Sequence, residues 1–189
     1  PDGNYLIAGS LNLDAALIKV EAKTGETLWT KTWNLGTEDA FEGLTVTRDG
    51  GILATGYGSG LAEGTFLNWG KGVLLKTDSE GKEEWRRDLS AYTSTGYRVK
   101  PSADGYLLAC HPKDEESEAH NLLKIDGQGR VLWAKTYNTV YWGFDTQPNG
   151  ETLLAGHTRK SKLSRNWDAE LTVVDSRGKT LWTKFFGQP

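Results

Sequence analysis

The chain has 189 residues, 37% of them hydrophobic and 23 of them glycine, an ordinary globular share that excludes a disordered tail. Its 25 acidic and 22 basic residues leave a net charge of −3, and the signs alternate along most of the chain, so no basic field exists to hold a nucleic-acid backbone. No apolar run approaches the roughly 20 residues that span a bilayer, and the single cysteine, Cys110, excludes an internal disulfide and any multi-cysteine zinc site.

In chain order, the first signal is a turn. Asp2-Gly3 precedes the apolar run Tyr5 to Gly9, and the same arrangement returns at Asp49-Gly50 before Ile52 to Gly56, at Asp104-Gly105 before Tyr106 to Cys110, and at Asn149-Gly150 before Thr152 to Gly156. Asp-Gly and Asn-Gly supply the positive backbone angles of tight hairpin turns, so each pair reads as a turn between strands. A polar loop follows each run and leads to a third strand: Ala16 to Val20, Val73 to Thr77, Leu122 to Ile125 and Leu171 to Val174. A second turn comes next, with Asp three residues before Gly at Asp78, Asp126 and Asp175, and a longer first copy from Glu21 to Gly25. The tryptophans Trp29, Trp85, Trp133 and Trp182 then sit on a fourth strand, at spacings of 56, 48 and 49 residues.

Three copies also carry a strand before the Asp/Asn-Gly turn, around Leu44 to Val46, Tyr97 to Val99 and Phe144 to Thr146; the first copy has none. The second strands are continuous apolar runs, which need cover on both faces. A radial array of four-stranded antiparallel sheets gives that cover, so the expected fold is an all-β propeller with little or no helix. The four expected blades are residues 1–40, 41–92, 93–140 and 141–189, together one propeller segment of WD40-like architecture.

Lys19 to Trp29 resembles the tryptophan motif of quinoprotein (PQQ-type) propeller repeats. Lys76 to Trp85, Lys124 to Trp133 and Val173 to Trp182 are similar to the Trp-rich propeller repeats of exported bacterial and archaeal proteins, as are Asp14-Ala15 and Asp168-Ala169. The resemblance implies a periplasmic or extracellular location. In the quinoprotein enzymes it would also imply a PQQ site with calcium and, in many members, adjacent cysteines. This chain has one cysteine and no recognisable quinone constellation, so no cofactor is expected, and it looks more like the cofactor-free branch whose propellers hold protein partners.

In a meander the tight turns share one face, while the long, dissimilar connections 57–72, 111–121 and 157–169 share the other, where binding is expected. The binding candidates there are Trp69 and Trp167, each preceded by asparagine (Asn68, Asn166), together with Trp142, His111, His157, Arg159 and Lys160. Indole faces stack on a sugar or an aromatic partner; the competing roles are packing between blades for the tryptophans and turn formation for the asparagines, since Asn12 holds the matching place in the first copy. His111, His157, His120 and Cys110 include metal-ligand types without a ligand spacing, so no metal is expected. The acidic run Asp114 to Glu118 and the basic run Arg159 to Arg165 form either a polarised face or two solvated loops.

No catalytic order of residues is present. Glu38, Asp39 and Glu42 have the chemistry for acid/base work without a spacing that selects a pair. The reading is a non-catalytic scaffold or binding module for a protein or polysaccharide; the alternative is an enzyme, either a degenerate quinoprotein dehydrogenase or a hydrolase or lyase using loop carboxylates. Because the first copy lacks its inner strand, the segment is also expected to need the remainder of a longer chain, or a second copy, to close a ring.

Overall fold

The computed structural model describes residues 2–59, 70–113, 120–137, 140–159 and 167–187, which contain strands and turns and no helix. Fifteen strands follow one another: β1 (Tyr5–Leu11), β2 (Asp14–Val20), β3 (Thr27–Trp33), β4 (Ala40–Val46), β5 (Ile52–Gly58), β6 (Lys71–Thr77), β7 (Glu83–Asp88), β8 (Thr95–Ser102), β9 (Gly105–His111), β10 (His120–Ile125), β11 (Val131–Tyr137), β12 (Val140–Thr146), β13 (Thr152–Arg159), β14 (Trp167–Val174) and β15 (Thr180–Phe186). They form one three-stranded sheet, β1-β2-β3, and three four-stranded meanders, β4 to β7, β8 to β11 and β12 to β15. The first sheet therefore lacks the inner strand that β4, β8 and β12 supply to the others.

The recurring Asp-x-x-Gly sequence builds the turn before each outer strand by capping. Asp78 Oδ1 accepts from the backbone N–H groups of Glu80 and Lys82, both at 2.9 Å, and Asp126 and Asp175 repeat this with Gln128 and Arg130, and with Arg177 and Lys179. The glycine that ends each turn has φ near +75°, at Gly81, Gly129 and Gly178, a conformation that costs other residues energy. Three residues after each of these glycines the outer strand carries a bulge, with Glu84, Leu132 and Leu181 as the extra residues where the pairing register shifts opposite Lys76/Thr77, Lys124/Ile125 and Val173/Val174.

The chain forms two compact units, divided within β8 at Val99/Lys100. In the first, Ala15 and Leu17 of β2 pack with Phe41, Ile52, Ala54, Val73 and Leu75 of the second sheet, so two sheets share one buried face, with Leu6, Ala8 and Trp29 at its margin. Trp29 lies against the next repeat's turn at Gly81, and in the second unit Trp133 lies against Gly178 in the same way. Trp182, on the last sheet, is 47% exposed. In the second unit the third and fourth sheets are tied by Tyr137 Oη donating to the Gly178 carbonyl at 2.7 Å and by the Lys100–Asp145 ion pair at 2.8 Å.

Polar positions that recur in three of the repeats are structural. Lys19 pairs with Asp2 at 2.7 Å, Lys76 with Asp49 at 3.1 Å and Lys124 with Asp104 at 2.5 Å, each lysine on a third strand holding the turn between the first two. In the fourth repeat both partners are uncharged, Val173 and Asn149. Cys110 is fully buried on β9 and in no disulfide.

Candidate functional site

The second unit brings four of the sequence-based candidates together. His111 ends β9, Trp142 stands near the start of β12, His157 lies near the end of β13 and Trp167 begins β14. His120, the first residue of β10, completes a continuous run of rings. His111 and His120 stack edge-on with centroids 4.5 Å apart, Trp142 lies 5.9 Å from His120 and 6.1 Å from His157, and His157 meets Trp167 edge-on at 4.5 Å. All three histidines of the chain and two of its eight tryptophans thus share one strip at a single end of two neighbouring sheets.

Trp142 reaches the strip because of a bulge. Tyr141 pairs with Gly156 and Gly143 pairs with Ala155, which leaves Trp142 as the extra residue. Bulges re-aim side chains and are frequent beside functional sites. The second sheet has the same irregularity, with Glu42 as the extra residue between Phe41 and Gly43. The sequence signal was the glycine one position after each, and the strand alternation alone did not expose it.

Trp142 is 54% exposed and Trp167 46% exposed, so both present indole surface to solvent. Trp142 Nε1 donates to His157 Nδ1 at 3.3 Å. His120 is buried, its Nδ1 3.1 Å from both the N–H and the carbonyl oxygen of Tyr141, so it accepts from one or donates to the other according to its tautomer. Burial pushes His111 down to about 4, with His120 adding to the effect; burial likewise pushes His120 down to about 4, opposed by its backbone bond to Tyr141 and reinforced by His157. At neutral pH these two rings are uncharged, and a neutral imidazole has one donor and one acceptor nitrogen. The strip is therefore an aromatic surface edged with neutral hydrogen-bonding groups.

Asn68, Trp69, Lys160, Asn166 and the side chain of Arg159 lie outside the described residues, as do the acidic run 114–118 and Lys162 and Arg165 of the basic run. Among the described residues, no group of three or more His, Cys, Asp or Glu side chains has the geometry to hold a metal ion. Nor is any helix there long and apolar enough to cross a membrane.

The three carboxylates with acid/base chemistry have different surroundings. Asp39 is fully buried, and its oxygens accept from the backbone N–H groups of Leu35 at 2.5 Å, Gly36 at 3.0 Å and Ser59 at 2.7 Å, which makes it the organiser of a loop. Glu42 accepts from Thr95 Oγ1 at 3.3 Å; protein crowding holds its carboxyl above the usual range although part of the side chain stays open to solvent. Glu38 is half-buried nearby. Asp14 accepts from Asn34 Nδ2 at 2.9 Å, and Asp168 is packed against Gly187, so both members of this repeated position tie down the chain that follows the outer strand.

Two concavities accompany these features. In the first unit a pocket of about 410 Å³ is lined by Asn34, Leu35, Lys71, Arg86, Arg87 and Asp88. In the second, an open groove of about 410 Å³ runs past Tyr137, Tyr141, Thr158, Glu170, Thr172 and Phe185. Thr158 follows His157 along β13 and therefore faces the other side of the sheet, so the groove and the strip lie on opposite faces of that strand.

No protein-family model matches the sequence, and no curated protein matches it. Among solved structures, Kuenenia stuttgartiensis hydrazine synthase is similar over 91% of this chain, with a TM-score of 0.64 and 12% identity. This chain spans about half of that one, 49% of its length. A eukaryotic initiation factor structure aligns over 98% of this chain and 56% of its own at 9% identity, with a TM-score of 0.45. The fold is all-β and propeller-like.

Proposed function

We propose that this chain is a non-catalytic recognition module of the propeller type that binds a polysaccharide through the strip formed by Trp142, Trp167 and the three histidines. The observation that carries this reading is the pair of half-exposed indoles set on either side of His157. Flat aromatic faces stack on the apolar faces of sugar rings, and the neutral imidazole of His111, backed by the buried His120, suits a hydroxyl-rich, uncharged ligand better than an ionic one. A protein partner is the second occupant consistent with an aromatic surface on strand ends. By its resemblance to Trp-rich repeats, the module belongs to an exported protein.

Titration of intrinsic tryptophan fluorescence with a panel of soluble polysaccharides tests this. A saturable change with at least one neutral glycan, lost in Trp142→Ala and Trp167→Ala proteins that melt at the wild-type temperature, is the expected result. Absence of any saturable response, or an unchanged response in both variants, overturns it.

A further inference from the structure

The fourth repeat buries a carboxylate at a place where the other repeats have none. Across its sheet Tyr141 pairs with Gly156, Gly156 with Glu170 and Glu170 with Phe185, so the four form one row on one face. The matching third-strand residues, opposite Gly9, Gly56 and Cys110, are Ala16, Val73 and Asn121. Val73 and Leu75 belong to the apolar core that the first two sheets share, and their counterparts in the fourth repeat are Glu170 and Thr172. Glu170 is 5% exposed, and burying its carboxylate costs free energy that a valine at the same place does not. It lines the open groove of about 410 Å³ between the third and fourth sheets.

The hydroxyl groups of this groove are polarised toward Glu170. Thr172 Oγ1 donates its one hydrogen to Glu170 Oε1 at 2.9 Å, so in the 2.8 Å bond between Thr172 and Thr183 it is Thr183 that donates. Tyr137 gives its hydroxyl hydrogen to the Gly178 carbonyl at 2.7 Å, and its ring meets Tyr141 edge-on at 5.7 Å. Phe185, directly opposite Glu170, is 61% exposed. The groove therefore offers a carboxylate, hydroxyl oxygens whose hydrogens are already committed, and aromatic rings. An ammonium group carries three donors and no acceptor, and aromatic faces attract it as well.

We infer that this groove binds an alkylammonium group, with Glu170 as its counter-charge, Thr183 as an acceptor and Tyr137 and Phe185 as aromatic lining. An amino sugar and a lysine side chain both present that group. The site lies on the opposite face of β13 from the aromatic strip and stands or falls without it.

Two amines supply the probes for the intact 189-residue chain in slightly acidic buffer: glucosamine, and lysine blocked at both ends of its backbone. Their uncharged controls are N-acetylglucosamine and the equally blocked norleucine. At least one amine is expected to bind saturably, about tenfold or more tighter than its control, and to shift the amide resonances of Glu170, Thr183 and Phe185. Which of the two binds identifies the source of the ammonium group. Glu170→Gln should lose this preference. Glu170→Val places the residue of the second repeat at the same position, so it should melt at or above the wild-type temperature and lose the amine by a similar factor. Phe185→Ala, at an exposed position, should weaken binding about threefold, and Trp142→Ala should leave it unchanged. Absence of saturable binding by both amines, equal binding of amine and control, or wild-type affinity in both Glu170 variants would each overturn the assignment.

Discussion

Trp142 Nε1 and His157 Nδ1 are hydrogen-bonded at 3.3 Å across the first two strands of the fourth sheet. The bond makes Nδ1 of His157 an acceptor, so in the neutral ring the proton sits on Nε2, directed away from Trp142. Replacing Trp142 by Phe keeps an aromatic face and removes the donor. Nitrogen NMR of the imidazole should report a mixed tautomer in this variant, while glycan affinity, which rests on the retained aromatic face, should change little. Trp142→Ala removes the stacking face as well and should cost more, about 2 kcal/mol or above.

The contrast between Gly56 and Gly9 yields a stability prediction. Gly56→Ala forces a methyl group into the Ala40 carbonyl and must displace an inner strand, a loss of about 2 kcal/mol or more by the measure of overpacked cores. Gly9→Ala meets open space and gains strand propensity, so it should be neutral or slightly stabilising. Chemical denaturation of the two variants beside wild type checks both, and equal losses would contradict the argument.

Stability should depend on pH through the histidines. His111 and His120 are held near pH 4 in the fold against about 6.5 in an unfolded chain. Between these values the unfolded chain binds protons that the folded chain refuses, so stability is full above about pH 6.5, falls as pH drops toward 4, and then levels. Solvent access to the half-buried His111 reduces the effect, and about 2–4 kcal/mol is expected for the two together. The lowered carboxyls Asp2 and Asp49 contribute stability above their ordinary range that is lost only as pH falls toward about 2, outside this window. Urea midpoints measured from pH 7.5 to 4.5 should decline in wild type and decline less in His111→Gln.

Lys76 is buried between Asp49 and Glu84, at 3.1 and 2.8 Å, while both carboxylates keep much of their surface in water. Loss of Asp49 leaves Glu84 to hold the charge, so a double-mutant cycle of Asp49→Asn and Lys76→Val should give a coupling of about 0.5–1.5 kcal/mol. The double variant reproduces the uncharged pair that the fourth repeat uses at Asn149 and Val173. It should therefore be less destabilised than the two single losses added together, as read by guanidinium unfolding.

Turn chemistry and strand order were legible in the sequence, because they depend on neighbours in the chain. Asp78, Asp126 and Asp175 cap backbone N–H groups only two and four residues away, and glycine is needed at Gly81, Gly129 and Gly178 whatever the rest of the molecule does. The missing inner strand of the first copy was equally visible, since a strand leaves a local pattern. Equivalent repeat positions also matched His111 with His157, and Trp167 with Trp69, which lies outside the described residues. What the tertiary structure decided was which candidates touch. His120 entered the strip because β10 packs beside β12, and Trp142 turned toward His157 because a bulge shifts the strand by one residue, an irregularity set by the close approach of Gly156 to Val140. Asp39, a carboxylate like Glu42 in the sequence, became a loop organiser because folding brings three N–H groups to its oxygens from Leu35, Gly36 and Ser59. Local hydrogen bonds fix the turns from short stretches of chain, whereas the surroundings of a side chain depend on residues far away in sequence, which only packing brings near.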